Sequence, residues 1–519
     1  MTMHSAFEDS CPLFRGYPAD PSKRGYLPAR YVLTFLIVAA RCLEYAQRAC
    51  LSVTIVVMVN HTALNLIEND TPSIDDTCEV PQAINVTTPK QEGEYLWTPS
   101  MQGIILGGYF YGFVCTQVVG GRMAEIAGGK WVMGLSVLIA SLLTAVTPFA
   151  ADVGVAAITI VRVMLGLVHG VAMPTAFAMF GHWAPLAERS TMLALCIVGD
   201  HIGTILTMPL AGYLCEHGFA GGWPSVFYIL GIVGCAWFLF WIFLTYNKPT
   251  DHPRISQQEI DYIKKGQNHV ANEQKTPVPW KKVLTSRAVW AIATVTFCSS
   301  WGFTTFLTKL PTYLEVVLHV SIQKNGLVNS LVYASSCLTL FVSGALSDYM
   351  IAKKEMNATK IRKCFEILAM MGPAICSALV PFVKCDVFEA IALLMVAMAF
   401  LGFSGGGHIS VVPDVAPLHA ASIFGFVNSI GCIAGIFSPM VAGFLLENQH
   451  SSIQQWSVVF YIASGFYVFG ALSFTIFATA EKQPWASSPG TEKFLIPHLK
   501  DEKIILNKNG NIKSYGSTS

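Results

Sequence analysis

Charge is what this chain has least of. Only 13% of its 519 residues are Asp, Glu, Lys or Arg, while 53% are hydrophobic. An average soluble domain carries about a quarter charged residues, so a chain this apolar needs a bilayer to cover its surplus. Neither sign prevails: the formal net charge is +1. No Lys/Arg stripe points to nucleic acid. The 14 cysteines are scattered, without Cys-x-x-Cys or a Cys/His metal spacing. Cys42, Cys50, Cys115, Cys196, Cys235, Cys337 and Cys376 sit inside apolar runs, as small core-like residues do, and no disulfide framework is expected. The first 30 residues are polar and hold Arg15, Lys23, Arg24 and Arg30. No cleavable signal peptide is expected, and the first apolar run acts as a signal anchor. No nucleophile, metal or cofactor constellation suggests an enzyme, and no cofactor is expected beyond a coupling ion, sodium or proton.

What is present is a series of long apolar runs. A membrane helix needs about 20 such residues. Twelve runs qualify: 31–59, 101–123, 131–151, 153–180, 190–214, 225–246, 288–315, 323–347, 365–386, 388–412, 417–446 and 455–479. Pro174, Pro209 and Pro439 lie inside them, which packed membrane helices tolerate. The expected fold is an all-α membrane protein of twelve transmembrane helices in two pseudo-symmetric six-helix halves.

Charge sets the orientation. The segment 1–30 is basic and reads as cytosolic. The loop 61–100 holds seven Asp/Glu and one Lys, Lys90, and reads as lumenal or extracellular. Its acceptors Asn69 and Asn85 are then open to glycosylation. Asn60 lies at the membrane edge. The segment 247–287 carries eight Lys/Arg and reads as a cytosolic linker between bundles 31–246 and 288–479. Lys353, Lys354, Lys360, Arg362 and Lys363 put 348–363 on the same side, so the acceptor at Asn357 stays unmodified. The polar tail 480–519 reads as cytosolic and disordered. Its stretch DEKIIL (501–506) is a chance apolar trio sooner than a sorting signal.

The halves repeat. WPSVFY from Trp223 opens the sixth run and WSVVFY from Trp456 the twelfth. Ala184-Pro185-Leu186 with Ser190 precedes the fifth, and Ala416-Pro417-Leu418 with Ser422 the eleventh. Gly121 with Glu125 follows the second, and Gly344 with Asp348 the eighth. The offsets are 233, 232 and 223 residues, in the same order. Internal duplication of this kind marks secondary transporters, whose halves rock about a central site.

The stretches GGRMAEIAGGK (120–130) and SGALSDYMIAKK (343–354) resemble the cytosolic loop motif of the major facilitator superfamily. The resemblance gives Gly121, Arg122, Glu125, Lys130, Gly344 and Asp348 a part in latching the cytosolic gate. More closely, AQRACLSVTIVVMVN (46–60), GGYFYGFVCTQVVGG (107–121), HWAPLAERS (182–190), WPSVFYILG (223–231), LPTYLEVVLHVSIQKNGLVNSL (310–331) and DVAP (414–417) resemble the anion transporter family of sialin, the vesicular glutamate transporters and the type I sodium–phosphate cotransporters. That implies transport of a small organic or inorganic anion, driven by protons, sodium or membrane potential.

An ionisable group in the hydrocarbon costs at least about 2.5 kcal/mol and needs a reason. Arg41, Glu44 and Arg48 stand at i, i+3 and i+7 on one helix face. Arg48 is the substrate candidate, since a guanidinium stays charged and forks onto carboxylate or phosphate; the related transporters imply the same role. The competing reading is an ion pair with Glu44. Arg162 shares a face with Gly166, His169 and Gly170 and is expected to pair with an acid across the helix interface. Sialin-like relatives carry acids in span four where this chain has Leu165 and His169. Asp200 and His201 lie in span five, where relatives are commonly uncharged. Glu44, His169, Asp200 and His201 are therefore candidates for a relocated proton relay. In the region FCSSWGF (297–303), vesicular glutamate transporters carry a second substrate Arg; here stand Ser299 and Ser300. The family's Asn-His pair before the DIAP motif becomes Val411-Val412. One spare Arg suits a monoanion or phosphate. His408 is a candidate second contact, and the run Gly405 to Gly407 reads as a flexible or close-packed part of its span, not a phosphate loop. Tyr109, Tyr111, Trp301 and Phe303 are expected to complete the cavity.

The expected function is a sodium- or proton-driven transporter of a phosphate-like or monocarboxylate anion. It would work as a monomer in the plasma membrane or an endolysosomal or vesicular membrane. A transport-inactive sensor or scaffold on the same fold, or a polyspecific exporter, are the alternatives.

Overall fold

The computed structural model describes residues 28–60, 63–64, 77–78, 93–271, 278–353, 356–416, 419–447 and 452–486. The acceptors Asn69 and Asn85, the segment before residue 28, the stretch DEKIIL and the Glu125 side chain lie outside that description.

The first half comprises α1 (Ala29–Met58), α2 (Pro99–Ala127), α3 (Gly129–Val153), α4 (Val155–His169), α5 (Ala172–Trp183), α6 (Leu186–His217) and α7 (Pro224–Leu244). Two short helices follow, α8 (Gln257–Ala271) and α9 (Trp280–Leu284). The second half comprises α10 (Arg287–Val316), α11 (Ile322–Ala352), α12 (Ala358–Val383), α13 (Val387–Leu401), α14 (His408–Val415), α15 (Ala420–Leu445) and α16 (Ile453–Phe477). The pairs α4–α5 and α13–α14 each make one crossing, which gives twelve. The apolar runs 153–180 and 388–412 predict continuous helices there. The chain loosens instead at Gly170-Val171 and across Gly402–Gly407.

Local chemistry sets the helix starts. Thr98 caps α2 through its side-chain oxygen, with Pro99 next, and Asn357, Asp386 and Ser452 cap α12, α13 and α16. Each satisfies an amide that the first turn leaves open. Among the described residues, nine helical stretches are long and apolar enough to cross a membrane by composition alone. The other crossings, α1, α2 and α10, run 30, 29 and 30 residues. Charge marks α1, and buried Thr and Lys residues mark α10.

The halves share one packing plan. In the first, α1 packs on α6, α2 on α4 and α3 on α7; in the second, α10 packs on α15, α11 on α13 and α12 on α16. The halves meet through α2 with α15 and α6 with α11. On the face that carries the α1–α2 loop, here the distal face, those contacts are tight. The Ser100 amide donates to Glu447 Oε2 at 2.7 Å, and Ser330 Oγ donates to the Ile205 carbonyl at 2.8 Å. Gly103 faces the Pro439 carbonyl so closely that a Cβ there would meet it at 2.5 Å. Small residues at helix contacts permit this approach.

The opposite face carries α8. There Arg30 donates to Glu188 (2.9 Å) and Glu259 (3.3 Å), tying α1, α6 and α8. Burial, with the Glu188 carboxylate beside it, pushes the Tyr262 phenol above its ordinary pKa. One disulfide joins Cys78, in the α1–α2 loop, to Cys385, in the α12–α13 turn. It is not a framework, but it is a covalent link that the scattered cysteines did not announce.

Candidate functional site

A cavity of about 270 Å³ lies between the halves, on the α8 side of the distal contacts. Arg41, Tyr45 and Arg48 of α1 and Asp200 and His201 of α6 line one wall. Ser299, Ser300 and Phe303 of α10, Tyr333 of α11 and His408 of α14 line the other.

The first wall holds a buried charge cluster. Arg41 forks onto Asp200, with Nε–Oδ1 at 2.8 Å and Nη2–Oδ2 at 3.0 Å, and its Nη1 meets Glu44 Oε2 at 2.6 Å. Bidentate pairing of this kind fixes a guanidinium in space. Glu44 therefore turns back one helical turn to Arg41, whose orientation Asp200 has already set, and does not pair with Arg48. Asp200 likewise takes Arg41 and not His201. Neighbours on a helix diverge by about 100°, and His201 Nδ1 donates to the Ile197 carbonyl at 3.0 Å.

Arg48 is left over. No carboxylate pairs with it among the described residues, and its buried Nε has no partner. Its guanidinium carbon stands 5.1 Å from the Tyr45 ring centroid, 5.4 Å from Tyr109 and 4.7 Å from Phe110. Ring faces stabilise a cation without neutralising it. An anion in the cavity would supply the missing counter-charge.

Span four lies behind this wall. Arg162 does not find the acid that its sequence context suggested. It donates to the backbone carbonyls of Gln47 (3.3 Å) and Arg48 (3.1 Å) on α1. His169 Nε2 stands 3.2 Å from Gln47 Oε1, and its Nδ1 stands 3.3 Å from the Tyr109 hydroxyl. Both ring nitrogens are engaged, and neither His169 nor Tyr109 lines the cavity. Leu165 packs with Tyr109 and Phe113. Leu165 and His169 are thus part of the packing behind the aromatic rings.

Among the described residues, the second wall has no fixed cation. Phe303 lines it and meets Tyr333 edge-on at 5.7 Å. Trp301 faces the other way and stacks on Phe466 at 4.1 Å. Tyr111 is 39% exposed and donates to Met440 Sδ at 3.1 Å. Both were expected in the cavity. Each sits on a face of its helix turned from it. His408 does line the cavity, and its Nδ1 is 3.0 Å from both oxygens of Glu366, a fully buried acid on α12. Nothing in the sequence singles out Glu366. It stands near the start of an apolar run just after Arg362 and Lys363, and reads as interfacial.

At the α8 face, Arg362 ties three elements of the second half. It donates to Asp348 (3.2 Å) on α11 and to Asp414 (3.0 Å) on α14. Gly344 stands nearby with the Gly405 carbonyl 3.9 Å from where its Cβ would be. In the first half, Gly121 lies near Pro174, Arg122 is exposed, and the Lys130 ammonium stands 4.6 Å from the Tyr246 ring.

Comparison with known proteins fits this geometry. The description "Major Facilitator Superfamily" matches residues 37–439. Human sialin is 36% identical over 478 residues, covering 92% of this chain and 95% of sialin. Vesicular glutamate transporter 3 of Danio rerio is 33% identical, covering 95% of this chain and 81% of its own. A putative inorganic phosphate cotransporter of Drosophila melanogaster is also 33% identical, covering 89% and 87%. Among solved structures, a bacterial homologue of the human lysosomal transporter Spinster, inward-facing and unoccupied, aligns at TM-score 0.65 and 14% identity over 89% of this chain and 100% of that one. A D-xylose–proton symporter aligns at TM-score 0.60 and 12% identity over 87% and 99%. At such identities the structural likeness concerns the fold alone.

Proposed function

The chain belongs to the major facilitator superfamily, in the family of sialin, the vesicular glutamate transporters and inorganic phosphate cotransporters, and from that premise we propose that it carries a small anion across a membrane by alternating access. The observation that supports this best is Arg48: a permanent cation at the cavity wall, packed among three aromatic rings, with no carboxylate paired to it among the described residues. The substrate class is a monocarboxylate or a phosphate-like anion. Ser299 and Ser300 stand where a second Arg would clamp a dicarboxylate at its far end, and hydroxyls there favour a smaller or more compact charge.

The halves are sealed at the distal face, with the cavity on the α8 side of that seal. On the α8 side of the cavity the halves also meet, with Ser429 Oγ donating to Gln117 Oε1 at 3.2 Å and the Phe177 and Phe424 rings 6.4 Å apart. The Cys78–Cys385 disulfide supports a distal face turned to an oxidising compartment, a lumen or the exterior. The driving ion is a proton or sodium.

The test is counterflow in liposomes that contain the purified full chain. Labelled inorganic phosphate and labelled sialic acid are exchanged against internal unlabelled anion. Exchange of either probe that Arg48→Ala abolishes supports the reading. A wild-type protein that exchanges no anion overturns it in favour of a sensor or scaffold.

A further inference from the structure

Glu366 is a buried carboxylate that no Arg or Lys pairs with among the described residues. Its neighbour on α12, Arg362, is already engaged by Asp348 and Asp414. A carboxylate removed from water without a fixed cation needs neighbours that donate hydrogen bonds to it and can become cationic, or it takes a proton itself. The neighbour here is His408. Its backbone amide donates to Glu366 Oε2 at 2.7 Å, and its Nδ1 lies 3.0 Å from both oxygens. The contact depends on Gly407, where a Cβ would fall on the Glu366 carboxylate.

An ionised carboxylate only accepts, so the imidazole must carry a proton on Nδ1. That leaves Nε2, on a residue that lines the cavity, with no protein partner among the described residues. We propose that Glu366 and His408 form a proton-binding dyad whose imidazolium is the second-half contact for the transported anion. The inference rests on the anion-transport reading and assigns it a coupling ion. The Nε2 lone pair takes a proton from cavity water and becomes a second N–H donor, while Glu366 remains a carboxylate and offsets the new charge. The anion then lies between the Arg48 guanidinium and the His408 imidazolium. When the carrier opens to the other side, the anion leaves and Nε2 returns its proton to water there. One proton crosses with each anion.

The surroundings favour this site over its neighbours. On the dyad's own side, Arg362, Asp348 and Asp414 form a closed network, and Tyr333 of α11 and Cys432 of α15 are the remaining ionisable side chains that line that wall. Across the cavity, Arg41 is held by Asp200 and Glu44, and His201 Nδ1 is bound to its own helix. Tyr45 on α1 completes the ionisable lining. An anion lying between Arg48 and His408 faces both cations, so the two ligands bind together. Ser299 and Ser300 provide no permanent charge, and the second wall becomes positive only when the proton is on.

The experiment uses the full chain in liposomes, with labelled phosphate and sialic acid as probes and an imposed pH gradient. Wild type should accumulate the probe along the gradient. Glu366→Gln and His408→Gln should lower that accumulation by about tenfold or more, and their residual exchange should lose its pH dependence. His408→Lys fixes the charge, so it should exchange the probe at alkaline pH faster than wild type while failing to accumulate it. That gain keeps the test independent of folding defects. On purified protein in detergent, a pH dye should report uptake of one proton per phosphate or sialic acid bound, absent in Glu366→Gln. Unchanged pH-driven accumulation in both Gln variants, or sodium-driven accumulation indifferent to pH in wild type, would overturn the dyad while leaving anion transport intact. Absence of all wild-type exchange overturns the transport reading itself.

Discussion

The two walls of the cavity both bury carboxylates, and they hold them in opposite ways. On the first wall, Arg41 grips Asp200 and Glu44 at 2.6 to 3.0 Å. Three charges are locked together there, and Arg48 is left as a fixed cation. On the second wall no guanidinium pairs with Glu366 among the described residues, and its partner is an imidazole whose charge depends on a proton. The fold is duplicated, but the electrostatics are not. A fixed charge determines which ligand is attracted, and a titratable one determines when.

Four changes would break or sharpen this contrast. The largest effect is expected from Asp200→Asn, which leaves Arg41 half-paired in a buried site. Removing one partner of such a pair costs about 3–5 kcal/mol, so the melting temperature of the purified protein in detergent should fall sharply. A hydrophobic replacement of Arg41, Glu44 and Asp200 together should recover much of the loss. Next comes Arg48→Ala. A charged hydrogen-bonding contact is worth about 1.5–3 kcal/mol, so counterflow of phosphate or sialic acid should drop by about ten- to a hundredfold with little change in melting temperature. Ser300→Arg would give the second wall a fixed cation. Competition assays should then show preference moving toward dicarboxylates by about tenfold, as each 1.4 kcal/mol implies. The smallest effect is expected from Asp348→Asn. Its side chain is 69% exposed, and exposed ion pairs contribute about 0–1 kcal/mol. Initial transport rates should change by less than about fivefold, and a complete loss would show that transport depends on this exposed ion pair.

Much of the architecture was legible because it repeats. WPSVFY and WSVVFY mark equivalent helix starts, and apolar runs of membrane length sit between them. Arg48 was legible because an arginine in hydrocarbon stands out against its surroundings. Its freedom from Glu44 was not. Spacing places Arg41, Glu44 and Arg48 on one face, but the choice of partner was made by Asp200, on a helix 159 residues away. The roles of Tyr111 and Trp301 were misplaced for a related reason. Helices that are apolar all round carry no periodic signal to say which face looks inward. Glu366 hid at the edge of its run among basic residues, where charge is ordinary. Its importance appears only when the glycine stretch of the next crossing is laid against it.

The bond between Cys78 and Cys385 gives this chain an unusual connectivity. Backbone joins the two halves through the segment between α7 and α10, and sulfur joins them again 307 residues apart at the opposite face. The molecule is thus a closed ring of covalent bonds threaded through both bundles. A protease that cuts only between α8 and α9 would leave a species that migrates as a single unit without reductant and as two fragments with it. The halves could lose their peptide connection and still be held as partners, facing one another across the same cavity.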